Sequence, residues 1–219
     1  ASSWQFSIYA MGFAFATYFC MYAFRKPFGA ATFDGLEFLW GINLKTAFVV
    51  GQIIGYTLSK YYGCKYCSEI GRNQQAKALV LMIVIAEAAL LGFALLPGNL
   101  KVLAIFINGL PLGMVWGLVS RYLEGRKTAE LLFAGLSCSY IVASSSVKTI
   151  GGWFMQAGVP EFWMPATVGA VFFIPFVIAV FFLNQLPEPS AEDISSRSER
   201  TVMDSGSRST FFRQFMGGM

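Results

Sequence analysis

YFCMYAFRKPF, residues 18–28, is where an apolar run that begins at Trp4 first meets charge. From Trp4 to Phe24 no residue carries a formal charge. At 1.5 Å per residue, a helix of that length crosses the roughly 30 Å of a bilayer's hydrocarbon core. Arg25 then stands at or just inside the far end, where a charge costs about 3 kcal/mol unless it snorkels or faces a wet interior. Tyr22 and Tyr18 precede Arg25 by three and seven residues, so a continuous helix places two phenols and a guanidinium on one stripe. The alternative is an arginine and Lys26 reaching for headgroups, with the tyrosines in an interfacial belt. The second apolar segment decides between them.

The chain as a whole is 56% hydrophobic and 13% charged, with a mean hydropathy of +0.58. These values and the long apolar runs indicate an all-α polytopic membrane protein. Its +4 net charge is scattered over loops, which gives no footprint for nucleic acid. The cysteines Cys20, Cys64, Cys67 and Cys138 include one CxxC, but the chain has no histidine. A zinc site and imidazole chemistry are therefore not expected, and no cofactor is expected either. Nor do paired carboxylates or a phosphate loop point to an enzyme.

Six spans follow from the apolar runs: about 4–28, 44–66, 77–97, 101–123, 130–157 and 165–186. Residues 1–186 thus form a six-helix transmembrane domain. From Glu188 the composition turns to Ser, Glu and Arg, so 187–210 reads as a polar linker. The aromatic stretch of 211–219 reads as the start of a seventh helix, in a chain that is the first part of a longer protein. Basic residues gather on the side of the second-to-third and fourth-to-fifth connections, which the positive-inside rule makes cytoplasmic together with both termini.

Span two repeats the chemistry of span one. Tyr56 and Lys60 are spaced i and i+4, with Gln52 one turn earlier. If the helix reaches Tyr66, Lys60 is more than a turn inside the membrane and needs water or a partner. Span five holds Ser144, Ser145, Ser146, Lys148 and Thr149 near its middle, where a lysine reaches neither surface. Glu87, in the middle of span three, is the acid available to neutralise Lys60 or Lys148, or else a group for coupling. Gly109, Gly113 and Gly117 recur at every fourth position of span four, a spacing that lets helices approach closely within one bundle or, less commonly, in a dimer. Cations and hydroxyls with one acid suit an oxyanion, since arginine offers a planar fork and lysine a point charge.

Six spans with cytoplasmic termini and a polar linker resemble the N-terminal half of a major facilitator superfamily transporter. More narrowly, YFCMYAFRKPF together with GYTLSK resembles the organophosphate:phosphate antiporters of the glycerol-3-phosphate transporter type. The resemblance implies that Arg25 clamps phosphate, that Tyr18 and Tyr22 line its cavity, and that Tyr56 and Lys60 form the second-helix pair. It also implies a bacterial inner-membrane location, a small anionic solute and inorganic phosphate as ligands, and a C-terminal half of the same protein as partner. The chain departs from the pattern at CSEIGR, with Ser68 and Glu69 where the superfamily has an Asp-Arg signature. The family's helix-five histidine has no counterpart, and its helix-seven arginine would lie beyond Met219.

The expectation is a secondary transporter of an anionic, phosphorylated solute working by alternating access, with Lys148 adding charge to the site. The rivals are a proton-coupled carrier of a carboxylate or other solute, using Glu87, and a transporter-like sensor that binds without moving its ligand.

Overall fold

A computed structural model describes residues 3–190 together with Asp193, Thr210, Arg213 and Gln214. The fold is all-helical: α1 Ser3–Tyr22, α2 Leu44–Glu69, α3 Arg72–Leu95, α4 Leu100–Leu123, α5 Ala129–Gln156 and α6 Met164–Asn184. Short 3₁₀ turns at Pro27–Ala30 and Leu39–Gly41 lie between α1 and α2. Four helices, α3 to α6, are long and apolar enough to cross a membrane, which is compatible with an integral membrane protein. At 20 and 26 residues, α1 and α2 have the length but fall short in apolarity, because Ser, Thr, Gln, Lys and Tyr interrupt them.

The first span ends earlier than its apolar run suggests. After Tyr22 the backbone tightens into i→i−3 bonds, Ala23 N to Cys20 O, Phe24 N to Met21 O and Arg25 N to Tyr22 O, at 3.0–3.1 Å. Pro27 then offers no N–H to prolong the ladder. Arg25 therefore projects from a turn beyond α1, not from a helical stripe. At the other end of α2 the error runs the opposite way. The helix continues to Glu69, and α3 begins at Arg72, so most of the hydrophilic SEIGRNQQAK stretch is helical and only Ile70 and Gly71 connect the two.

Basic side chains hold that turn. Arg121 donates to the carbonyls of Cys67 and Ile70, and the Arg72 guanidinium lies 4.5 Å from the centroid of the Tyr122 ring. The carbonyls at the C-terminus of α2 are thus satisfied by an arginine of α4. Of Cys64, Lys65 and Ser68 only the helical backbone is described.

In the bundle α1 packs against α5 and α6, α2 against α4, and α3 against α4 and α6. The α2–α4 approach depends on glycine. A Cβ at Gly109 would stand 2.5 Å from Gln52 O and 3.0 Å from Tyr56 N, and one at Gly113 would stand 2.6 Å from Tyr56 O. Span four thus spends its small-residue stripe on packing inside the bundle. Gly109→Val is expected to force α2 away from α4 and to cost about 2–3 kcal/mol. Thermal unfolding in detergent reads the loss, and a wild-type midpoint would contradict the close approach.

At the end of the bundle where α1 stops, the α1–α2 connection is fastened to the α5–α6 connection. Glu161 accepts from Phe33 N at 3.1 Å and from Thr32 N and Oγ1 at 3.4 Å. Phe33, Phe48, Phe93 and Phe162 pack with ring centroids 5.0–6.1 Å apart. Buried Lys101 lies 4.2 Å from the Phe162 centroid and donates to the carbonyls of Phe93 and Ala94, which satisfies an ammonium that cannot stay bare in an apolar setting.

A second unit comprises residues 125–127 and 189–219. Within it Asp193 accepts from Lys127 N, Ser190 N and Ser190 Oγ at 2.9 Å, and these bonds, the Lys127 amide first, hold its carboxyl down at about 2. Apart from the few residues named above, the expected linker of 187–210 beyond Ser190 and the expected helix start at 211–219 lie outside the described residues.

Candidate functional site

In the turn that follows α1, the carbonyls of Phe24 and Arg25 need donors. Two buried amides supply them. Gln52 Nε2 donates to Arg25 O at 3.0 Å and to Asn108 Oδ1 at 2.9 Å. Asn108 Nδ2 donates to Phe24 O at 3.1 Å and to Ala86 O at 3.0 Å. Asn108 is wholly buried and Gln52 nearly so. This pair joins the end of α1 to α2, α3 and α4, and it sets the position from which the Arg25 side chain departs.

That side chain turns inward. Gln52 lies about two turns into α2 and Tyr56 one turn further, while the guanidinium carbon of Arg25 stands 3.9 Å from the Tyr56 centroid and 5.9 Å from that of Tyr22. The arginine thus folds back along α1, away from the end at which the helix stops. A snorkelling arginine would run the other way. Lys60 Nζ lies 4.8 Å from the same Tyr56 ring. Tyr18 and Tyr22 pack edge to face with centroids 5.6 Å apart, and both phenols are close enough to Tyr56 and Arg25 to interact with them electrostatically. Tyr18, Tyr22, Arg25, Tyr56 and Lys60 therefore form one cluster around a single ring, although Arg25 is not on the helix expected to carry it. Arg25 Nε is buried without a hydrogen-bond partner among the described residues.

Lys148 occupies a different place. On α5, its Cε lies 3.4 Å from where a Cβ of Gly29 would sit, against the Pro27–Ala30 turn. The neighbouring hydroxyls are engaged by their own helix. Ser145 and Ser146 donate to Val142 O at 3.2 and 2.9 Å, and Thr149 donates to Ser145 O at 3.2 Å. They are not free donors for a ligand.

Glu87 had two readings, a partner for Lys60 or Lys148 or a coupling group. It does not neutralise Lys60 or Lys148 among the described residues. Its Oε2 is buried without a hydrogen-bond partner and packs against Gly169 of α6 and the Phe24 ring. The reason is topological, since α3 turns this carboxyl toward α6 whereas Lys148 faces the turn after α1.

Three residues of this region escaped the sequence reading. Asn108 had a signal, a lone amide inside the apolar run INGLPLG. Trp116 and Tyr140 had none, because aromatic residues in an apolar helix read equally well as core. They extend the aromatic lining, with Trp116 5.0 Å from Tyr18 and 6.1 Å from Tyr140, centroid to centroid.

The arrangement presents two cations at one tyrosine ring, and is suited to hold oxyanion oxygens by charge-assisted bonds. No curated protein and no solved structure matches the chain. A family model does match residues 27–219, a range that contains Tyr56, Lys60 and Lys148 and begins just after Arg25. By that match, which covers most of its length, the chain belongs to the family described as "Family of unknown function (DUF5690)".

Proposed function

We propose that this protein is a secondary transporter of an anionic, phosphorylated small solute, built as one six-helix half of a major facilitator superfamily bundle. The observation that carries the reading is the inward turn of Arg25, which brings its guanidinium and the Lys60 ammonium to the same tyrosine ring. Arg25 binds phosphoryl oxygens, Lys60 adds charge, and Tyr18, Tyr22 and Tyr56 orient the ligand. Lys148 adds positive potential from α5. The solute sits between this half and a C-terminal half of the same protein, and the two halves rock about it in turn. Inorganic phosphate, carried in exchange, keeps the cations from returning unpaired. Both termini face the cytoplasm of a bacterial cell by the distribution of basic residues.

The test is counterflow. The complete protein in phosphate-loaded vesicles is expected to take up labelled phosphate and organophosphates only when phosphate is present inside. Absence of exchange above protein-free vesicles for every organophosphate tried would end the anion assignment.

A second reading is favoured by one observation, the Glu87 Oε2 that is buried without a hydrogen-bond partner among the described residues. In it the protein is a proton-coupled carrier and Glu87 takes up the proton. Glu87→Gln separates the two readings. Under phosphate exchange this variant is expected to keep counterflow within about twofold, because among the described residues the carboxyl makes no hydrogen bond or ion pair with Arg25 or Lys60. Under proton coupling it abolishes uptake driven by a pH gradient.

A further inference from the structure

We propose that Lys26 and Lys148 form a second anion subsite across the turn from Arg25, so that the preferred solute carries two anionic groups. The inference rests on the anion-binding reading above and goes beyond it, because it divides the cations into two sets. One set is Arg25 and Lys60, gathered on the Tyr56 ring. The other lies around Pro27–Ala30.

The turn itself builds the second set. Gly29 N donates to Lys26 O at 3.0 Å, which closes the backbone on Lys26. Against that closure lies Lys148 Cε, 3.4 Å from the place a side chain at residue 29 would fill. Gly151, one helical turn after Lys148, packs under the same turn, where its Cβ would lie 3.5 Å from Pro27 O. The α5 face bearing Lys148 is therefore fixed to the segment bearing Lys26, and Lys26 feels the charge of Arg25 and, second to it, that of Lys148. Lys26 is half-buried and Lys148 exposed, so the pair is reachable from outside the helix packing.

Like charges held together at partial burial repel, and an anion between them converts that repulsion into binding. Arg25 and Lys26 are consecutive residues whose side chains serve the two sets. The geometry therefore suits a short molecule with a phosphate at one end and a second anionic group, such as a carboxylate, a few bonds away.

The test compares two probes that differ in the second group, ethyl phosphate and phosphoglycolate, by equilibrium binding to the complete purified protein. Wild-type protein is expected to bind phosphoglycolate about tenfold more tightly, the value of one added charge-assisted contact. Lys26→Gln should erase that ratio while ethyl phosphate affinity stays within about threefold, Lys148→Gln should weaken phosphoglycolate more than ethyl phosphate, and Lys148→Arg should restore part of the ratio. Thermal unfolding of each variant shows whether the fold is kept. A ratio near one in wild type, or variants that weaken both probes equally, would overturn the second subsite and leave the Arg25 assignment standing. Failure of wild type to bind either probe would overturn both.

Discussion

Arg25→Ala is expected to lower phosphate exchange by about a hundredfold or more while the protein remains folded. Two charge-assisted bonds from a guanidinium to an oxyanion contribute about 1.5–3 kcal/mol each, and each 1.4 kcal/mol is a factor of ten. The fold should persist because the backbone of residue 25, not its side chain, engages Gln52, and because Arg25 Nε makes no hydrogen bond that the variant would lose. Arg25→Lys keeps the charge but not the planar fork or the stacking on Tyr56, so a loss of about tenfold is expected. Counterflow in phosphate-loaded vesicles measures both. Equal uptake by Arg25→Ala and wild type would remove the arginine from the site.

The second large effect concerns Asn108, which touches no ligand. Replacement by leucine, which has the same branching but is bulkier, is expected to destabilise the protein by about 2–4 kcal/mol. The side chain connects Gln52, Phe24 O and Ala86 O in a wholly buried place, and each group left without a partner there costs about 1–3 kcal/mol. The leucine fills the volume but answers none of the three. Transport should fall as well, because the end of α1 would lose the attachment that aims Arg25 at Tyr56. Asn108→Asp retains an acceptor for Gln52 but removes the donors to both carbonyls, and should be at least as damaging. Melting in detergent together with counterflow gives the measurement. A leucine variant with wild-type melting would mean that the amide bridge holds nothing in place.

The two effects are distinguishable by where they act. Arg25→Ala should lower transport at nearly constant melting temperature, whereas Asn108→Leu should lower both. The contrast separates a group that meets the solute from one that only positions it.

Much of this protein was decided by local sequence. Apolar length marked out α3 to α6, since an uninterrupted hydrophobic run has few other ways to satisfy its backbone in an apolar medium. The i, i+4 spacing of Tyr56 and Lys60 placed both on one face of α2, and the repeated glycines of α4 predicted a close neighbour, found as α2. Local pattern could not set the ends of helices where a polar turn is itself helical, as at SEIGRNQQAK, nor see that α1 would tighten and stop at Tyr22 ahead of Pro27.

Only the tertiary structure decided the directions of the charged side chains. Whether Arg25 runs to the surface or back to Tyr56 depends on Gln52 and Asn108, which lie 27 and 83 residues further along the chain and meet its carbonyl region only after α2 and α4 have packed. Whether Glu87 meets a lysine depends on which helix α3 turns it toward, and that helix is α6. Charge and hydrogen-bonding capacity belong to residue types and are legible one residue at a time. Partnership belongs to pairs, and the packing of distant helices settles it.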